Sequence, residues 1–286
     1  MEQLMERRDF LKMAAMAAGT AALSGVSCAA ENVSLKGRIK KAVGLGMLKM
    51  SGGPAEKLKV LKELGFDGVE VGPGEVDPEV LNKAAEETGM KAHGVVHGWS
   101  LDDIPKSIDY ACAIGADSVL IVPGKVEDGV FYDELYARSQ KIYRETAIPY
   151  AAEKKMPLLV ENVWNNFLLS PLEMARYVDE LDSPWLAAYF DVGNILRYGW
   201  SEQWIRVLGK RIKKIHIKDY SKKIMEEKGL RPGFDVNIGE GSANWGAVRQ
   251  ELAAIDFNGW ATAEVGGGGK ERLAQISKEM DTVLGL

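Results

Sequence analysis

The chain has 286 residues, of which 46% are hydrophobic and 27% charged, enough apolar material for one large domain with a buried core. Its formal charge of −5 is spread along the chain without a basic cluster or a basic-aromatic stretch, which gives nucleic acid little electrostatic reason to bind. The two cysteines, Cys28 and Cys112, can form neither a disulfide scaffold nor a cysteine-rich zinc site.

The first segment differs in kind from the rest. Arg7-Arg8-Asp9-Phe10-Leu11-Lys12 precedes an uncharged run of small and apolar residues from Met13 to Ser24, and small residues surround Cys28-Ala29-Ala30. A charged start, an apolar middle and a small-residue end are the marks of an export signal, here over residues 1–30. The twin arginine resembles a Tat signal, and the expected location is outside the cytoplasm, in the periplasm. An amphipathic helix is the alternative, but Ala14 to Ser24 has no polar face. The run is too short for a comfortable membrane span. A lipid anchor at Cys28 is disfavoured by Gly25, which stands where a lipobox normally carries leucine.

Beyond residue 40, short apolar runs alternate with amphipathic helices. The expected strands are Ala42–Leu48, Gly68–Val71, Ala92–Val96, Ser118–Val122, Pro157–Val160, Ala187–Phe190, Lys214–Ile217 and Trp260–Val265. Several are nearly continuous in Val, Ile, Leu and Ala, as parallel strands buried on both faces require. Leu58, Leu61 and Leu64 make a helical stripe closed by Gly65. Asp77-Pro78 reads as an N-cap and first-turn proline, with Gly89 ending that helix. Ser170-Pro171-Leu172-Glu173 reads as a capping box, and Asn244 as the cap of a helix that turns Val248 and Leu252 inward. Cys112, between Ala111 and Ala113, reads as a small residue packed against the sheet.

Eight strands with intervening helices predict one (β/α)8 TIM barrel of the α/β class over residues 31–286. A doubly wound sheet is the competitor. Gly44-Leu45-Gly46 lacks the third glycine of a dinucleotide-binding turn, which weakens it. The longest connection, residues 221–243, follows strand seven on the face where barrel loops shape a site, and its middle is open to disorder.

Ionisable residues are rare in buried parallel strands. Four successive strands here each carry one near the C-terminal end: Glu161, Asp191, His216 and Glu264. Adjacent barrel strands bring these ends to one rim. Three carboxylates gathered there would repel one another without a cation. Three oxygens and one nitrogen suit Mn2+, Zn2+, Mg2+ or Co2+, with positions left for substrate and water. A network of hydrogen bonds without metal is the structural alternative.

The segments Leu159-Val160-Glu161-Asn162, Phe190-Asp191-Val192-Gly193-Asn194, Ile215-His216-Ile217-Lys218-Asp219 and Ala263-Glu264-Val265 resemble the xylose isomerase-like barrels, the sugar phosphate isomerase/epimerase superfamily. Ile238-Gly239-Glu240-Gly241 through Asn244-Trp245 is similar to that family's glycine-glutamate-glycine segment, with Asn244 where aspartate is common. The resemblance spans roughly residues 40–285. It implies Glu161, Asp191, His216 and Glu264 as ligands of one divalent metal ion, with Glu161 and Glu264 also exchanging substrate protons from opposite faces, as in the ketose 3-epimerase branch. Asn194 stands where free-sugar 3-epimerases often carry histidine. Asp-Val-Gly-Asn looks closer to the pentulose-phosphate branch, whereas export argues against a phosphorylated substrate.

The implied function is a metal-dependent sugar isomerase or epimerase working through an enediolate. A keto-glycoside lyase or dehydratase on the same site is the second reading, and a sugar-binding barrel the non-enzymatic one. A multi-metal abasic-site nuclease is discounted by the three histidines and the absence of a basic surface. Substrate-binding candidates near the rim are His97, Glu70, Asn194, Lys218 and Trp164, with Trp99 and Trp200 as further aromatic faces for a sugar. Assembly into a homo-oligomer is left open by the sequence.

Overall fold

Eight parallel strands follow one another around a closed barrel in the computed structural model, which describes residues 33–286. They are β1 (Ile39–Gly44), β2 (Gly68–Val71), β3 (Lys91–Gly98), β4 (Val119–Ile121), β5 (Leu158–Glu161), β6 (Leu186–Asp191), β7 (Ile212–Ile217) and β8 (Gly259–Ala263). β1 pairs with β2 on one side and with β8 on the other, so no strand edge is left open to another chain. The export signal expected at residues 1–30, with Arg7, Arg8 and Cys28, lies outside the described residues. Among the described residues, no helix is long and apolar enough to cross a membrane.

The helices form the outer layer: α1 (Pro54–Glu63), α2 (Pro78–Thr88), α3 (Ile104–Ala113), α4 (Tyr132–Ile142), α5 (Ile148–Lys154), α6 (Pro171–Glu180), α7 (Ser201–Leu208), α8 (Lys222–Lys228), α9 (Trp245–Ala254) and α10 (Lys270–Leu284). Their apolar stripes bury Leu58 and Leu61, Leu81, Ile108, Met174 and Tyr177, and Leu273 and Ile276 against the outer face of the sheet. Between α4 and α5 the ladder widens to a π-turn over Tyr143–Ala147, just before Pro149, which has no N–H to give.

Local signals act as the sequence predicts, with three corrections. Asp77 accepts from the Glu79 and Val80 amides, Gly89 ends α2 in the left-handed region at φ 67°, and Asn244 accepts from the Ala247 amide. Ser170 accepts from the Glu173 amide at 3.2 Å, but the return bond misses the cap. The Glu173 carboxylate accepts from the Leu169 amide at 2.9 Å and from the Tyr132 hydroxyl at 2.6 Å, tying α6 to α4 instead. Cys112 is exposed, because Ala111 is the residue that faces the sheet at that turn. Residues 221–243 hold α8 and a 3-10 turn, Arg231–Phe234, rather than an unstructured middle.

The barrel interior has two kinds of filling. Leu120, Val122, Leu159 and Ala187 make an apolar cluster on the β4–β6 side. Glu70, His93, Lys214, His216 and Thr262 bring polar atoms in from β2, β3, β7 and β8, all buried. Two register shifts serve this second half. Val69 pairs with Ala92 and Glu70 with Gly94, stepping past His93; Ala188 pairs with Ile212 and Tyr189 with Lys214.

Candidate metal centre

At the C-terminal rim the register sets Asp191 beside His216, and Glu161 opposite Tyr189, two residues before Asp191. Glu264 continues β8, its amide donating to Ile217 O at 3.1 Å. One ligand atom from each of Glu161, Asp191, His216 and Glu264 lies within 4.8 Å of the others. His216 Nδ1 is 2.7 Å from Glu161 Oε1, 3.6 Å from Glu264 Oε2 and 3.8 Å from Asp191 Oδ2. Asp191 is fully buried and Glu161 and His216 nearly so, while half of the Glu264 side chain is exposed.

The rim strands are held by a clamp of backbone and amide groups. Asn162 Oδ1 accepts from the Asp191 amide at 2.8 Å, and Asn162 Nδ2 donates to Asp191 O at 2.9 Å. The Asn194 amide donates to Asp191 Oδ1 at 2.7 Å, and Asn194 Nδ2 donates to Asn162 O at 2.9 Å. With one oxygen so fixed, Asp191 Oδ2 stays buried and accepts no hydrogen bond, although Lys218 Nζ stands 3.0 Å away. A buried anionic oxygen without a donor is what a metal ligand needs, and the three carboxylates with one imidazole form a donor set that fits a divalent cation. Gly193 makes the approach of Lys218 feasible, since a Cβ there would stand 2.5 Å from Lys218 Cγ.

The electrostatics follow from burial against neighbouring charge. Burial pushes the Asp191 and Glu161 carboxyls up from their ordinary values, and Glu264 adds to this by like charge. Burial also acts on Glu264, but Lys218 and His216 outweigh it and hold that carboxyl below its ordinary value. Burial opposes the imidazolium of His216, yet Glu161, Glu264 and Glu70 together raise it well above the usual histidine range. Glu70 is the reverse of the buried acids: desolvation is offset by His216, His93 and Lys214, which bring it down to about 2.

A cavity of about 500 Å³ opens above the centre. Glu161, Glu264 and Lys218 form its floor, Trp99 and Trp164 stand in its wall, and Arg231 and Phe234 reach it from the segment after β7. Asp219 anchors that segment by accepting from the Tyr220, Gly239 and Ala243 amides and from Trp245 Nε1. Gly241 has to be glycine there, because a Cβ would fall 2.1 Å from Asp219 Oδ1.

The structure brings together all four expected ligands and rearranges the expected substrate contacts. Lys218 lines the cavity and pairs with Asp191 and Glu264. Trp164 lines it too, with Arg197 over its ring and its N–H donated to Asn194 O. Asn194 reaches the cavity, but its side-chain amide is held by Asn162 O, so it acts as part of the clamp. His97 is outside the cavity lining: its ring nitrogens lie 2.7 Å from Ser107 Oγ and 3.1 Å from Ser100 O, turned to the outer layer. Glu70 is 3% exposed inside the barrel, meets His216 Nε2 at 2.9 Å and is outside the cavity lining. Trp200 lies off the cavity under Lys222. Sequence reasoning assigned no role to Asn162, His93, Tyr189 or Lys214; alternation with inward-facing Glu161, Asp191 and His216 is the signal that marks Tyr189 and Lys214 as interior.

A closed (β/α)8 barrel with a cluster of three carboxylates and one histidine at its C-terminal rim defines a barrel protein built around a candidate metal centre. The family model for the xylose isomerase-like TIM barrel matches residues 58–284, and the chain belongs to that family. SgbU of Escherichia coli K12, named provisionally as an L-ribulose-5-phosphate 3-epimerase, is 26% identical over 238 residues, covering 71% of this chain and 80% of its own. The inosose dehydratase of Clostridium perfringens strain 13 is 25% identical over 239 residues, covering 70% and 78%. Among solved structures, the IolI protein with a bound zinc atom superposes with a TM-score of 0.71 at 15% identity, covering 86% of this chain and 98% of its own. That last likeness is one of fold.

Proposed function

We propose that this chain is a divalent-metal-dependent sugar isomerase or epimerase that moves a proton on the carbon next to a carbonyl. The observation that carries the reading is the convergence of Glu161 and Glu264, from strands on different sides of the rim, on the same point beside His216 Nδ1. A divalent cation held by Glu161, Asp191, His216 and Glu264 would polarise a ketose carbonyl and its neighbouring hydroxyl, acidify the adjacent C–H and stabilise the enediolate. Glu161 and Glu264 supply the two carboxylates that such a reaction needs. One takes the proton as general base, and the other returns a proton to the opposite face or the neighbouring carbon. Lys218 places an ammonium at the cavity floor, where a developing oxyanion would meet it. Trp164, locked by its bond to Asn194 O, offers a rigid ring edge to the sugar's C–H surface.

Turnover of candidate ketoses in heavy water tests the reading. Solvent deuterium should appear on carbon next to the carbonyl, in a product of otherwise unchanged mass. A hydride passing between carbons with no solvent label would sink the two-carboxylate mechanism. The inosose dehydratase relative supports a second reading, in which the same intermediate expels water; an unsaturated product would select it.

A further inference from the structure

A hydrogen-bonded chain runs through the barrel interior to His216, and each of its links has a fixed direction. Lys214 Nζ pairs with Asp117, donates to His93 O at 2.7 Å and stands 2.9 Å from His93 Nδ1. An ammonium carries donors only, so His93 Nδ1 accepts and the proton of that ring sits on Nε2. His93 Nε2 is 3.1 Å from Thr262 Oγ1, which is 3.1 Å from the Tyr189 hydroxyl, which is 2.7 Å from Glu70 Oε1. A carboxylate accepts only. The single Tyr189 proton therefore goes to Glu70, and Thr262, having accepted from His93, donates to Tyr189. The other Glu70 oxygen lies 2.9 Å from His216 Nε2 and can take only an N–H there. Nδ1 is then the ring nitrogen left facing Glu161, Asp191 and Glu264.

We infer that Glu70 is the positioning residue of the metal centre: it holds the His216 proton on Nε2 and so presents Nδ1 as the ligand atom. Tyr189 donates to the other Glu70 oxygen and, backed by Thr262, His93 and Lys214, holds the carboxylate in place. From Lys214 to His216 the side chains are buried, and none of their polar atoms is without a partner, as a network that specifies one arrangement requires. His93 is further pinned by stacking on Trp260, with centroids 4.1 Å apart and planes 7° from parallel. Gly94 leaves the room for it, since a Cβ there would sit 3.1 Å from Glu70 Oε1 and 3.3 Å from Lys214 Nζ. The inference rests on the metal-centre reading of the four rim residues.

The test uses the full chain and Zn2+ as probe. Glu70→Gln keeps the shape but sets an amide donor against either His216 Nε2 or the Tyr189 hydroxyl. Its Zn2+ Kd, measured by chelator competition, should rise on the order of 10- to 100-fold. In nitrogen-15-labelled protein, which has three histidines to assign, the Zn2+-loaded wild type should show His216 protonated at Nε2 and metal-shifted at Nδ1. Tyr189→Phe keeps the carboxylate and removes one donor to it, so its Kd should rise less; it decides the matter if Glu70→Gln does not fold. An unchanged Kd in the folded variants, or Zn2+ on Nε2 of the wild type, overturns the inference while leaving the metal centre standing. Wild-type protein that binds no Zn2+ overturns both.

Discussion

Glu264 differs from the other three rim residues in reaching the cavity with half of its side chain exposed, which gives it, on the proposed mechanism, the freedom to turn between cation and substrate that buried Asp191 lacks. Glu264→Gln is nearly isosteric and removes the acid–base group. It should stay folded and lose on the order of 10² to 10⁴ in kcat, assayed at saturating metal so that weaker metal binding does not mimic the loss. A kcat within a few-fold of wild type would reduce Glu264 to a ligand. At this scale the sequence made the four rim residues legible because each is an ionisable residue at the end of an apolar run. It did not show which polar residues face the lumen beneath them. Glu70 looks like a rim residue by its place in Gly68–Val71, yet the shift between Val69 and Glu70 sets it opposite Gly94 and under His216. The Ala188/Tyr189 shift aligns Tyr189 with Lys214 in the same way, and no period-2 pattern reveals where a register slips. The place of the His97 ring was equally hidden, since it is set by Ser107 on the outer layer.

Among the elements, the segment after β7 shows how one side chain can organise a loop. Asp219 is 2% exposed and accepts four N–H groups, three from backbone and one from Trp245. Asp219→Ala would orphan all four, and each buried donor left without a partner costs about 1–3 kcal/mol. The segment would loosen first where its amides lose their acceptor. Hydrogen exchange at Gly239 and Ala243 should speed up well before the barrel strands respond. Protection unchanged at those two amides would mean that Gly233 packed on Tyr220, where a Cβ would fall 2.4 Å from the ring, holds the segment instead. All eight strands were readable, and so were the helix starts at Asp77, Ser170 and Asn244, because capping and apolar runs are local signals. Their ends were not: Leu45–Met47 turns into a 3-10 helix beyond β1, and β3 runs on to Gly98, since the stopping points depend on the neighbouring strand's register. The order within residues 221–243 was hidden because it comes from Asp219, outside the segment, and no local pattern announces that.

Across the whole molecule, closure of the barrel puts a polar column and an apolar cluster side by side in one lumen, and the polar column ties stability to pH. His93 is fully buried, and burial together with the Lys214 ammonium lowers its pKa to about 3. In the unfolded chain an ordinary histidine takes up its proton near pH 6.5. Between about pH 6.5 and 3 the unfolded state therefore binds a proton at this position that the folded state refuses. The sign is fixed: stability contributed by neutral His93 is fully present above the unfolded value and declines as pH falls through that window. The slope from one such group approaches about 1.4 kcal/mol per pH unit. His93→Gln offers an acceptor to Lys214 and a donor to Thr262, so it keeps the bonding pattern and removes the titration. Metal-free wild type and variant should be compared by urea denaturation at pH 7 and pH 5, both below an ordinary Lys pKa and both with Asp117 still available to Lys214. The variant gives up the ring stacking on Trp260 and so starts less stable at pH 7, but it should lose less on going to pH 5. Equal losses in the two proteins would show that the acid sensitivity of the barrel arises elsewhere, and that His93 is protonated as readily inside the fold as outside it.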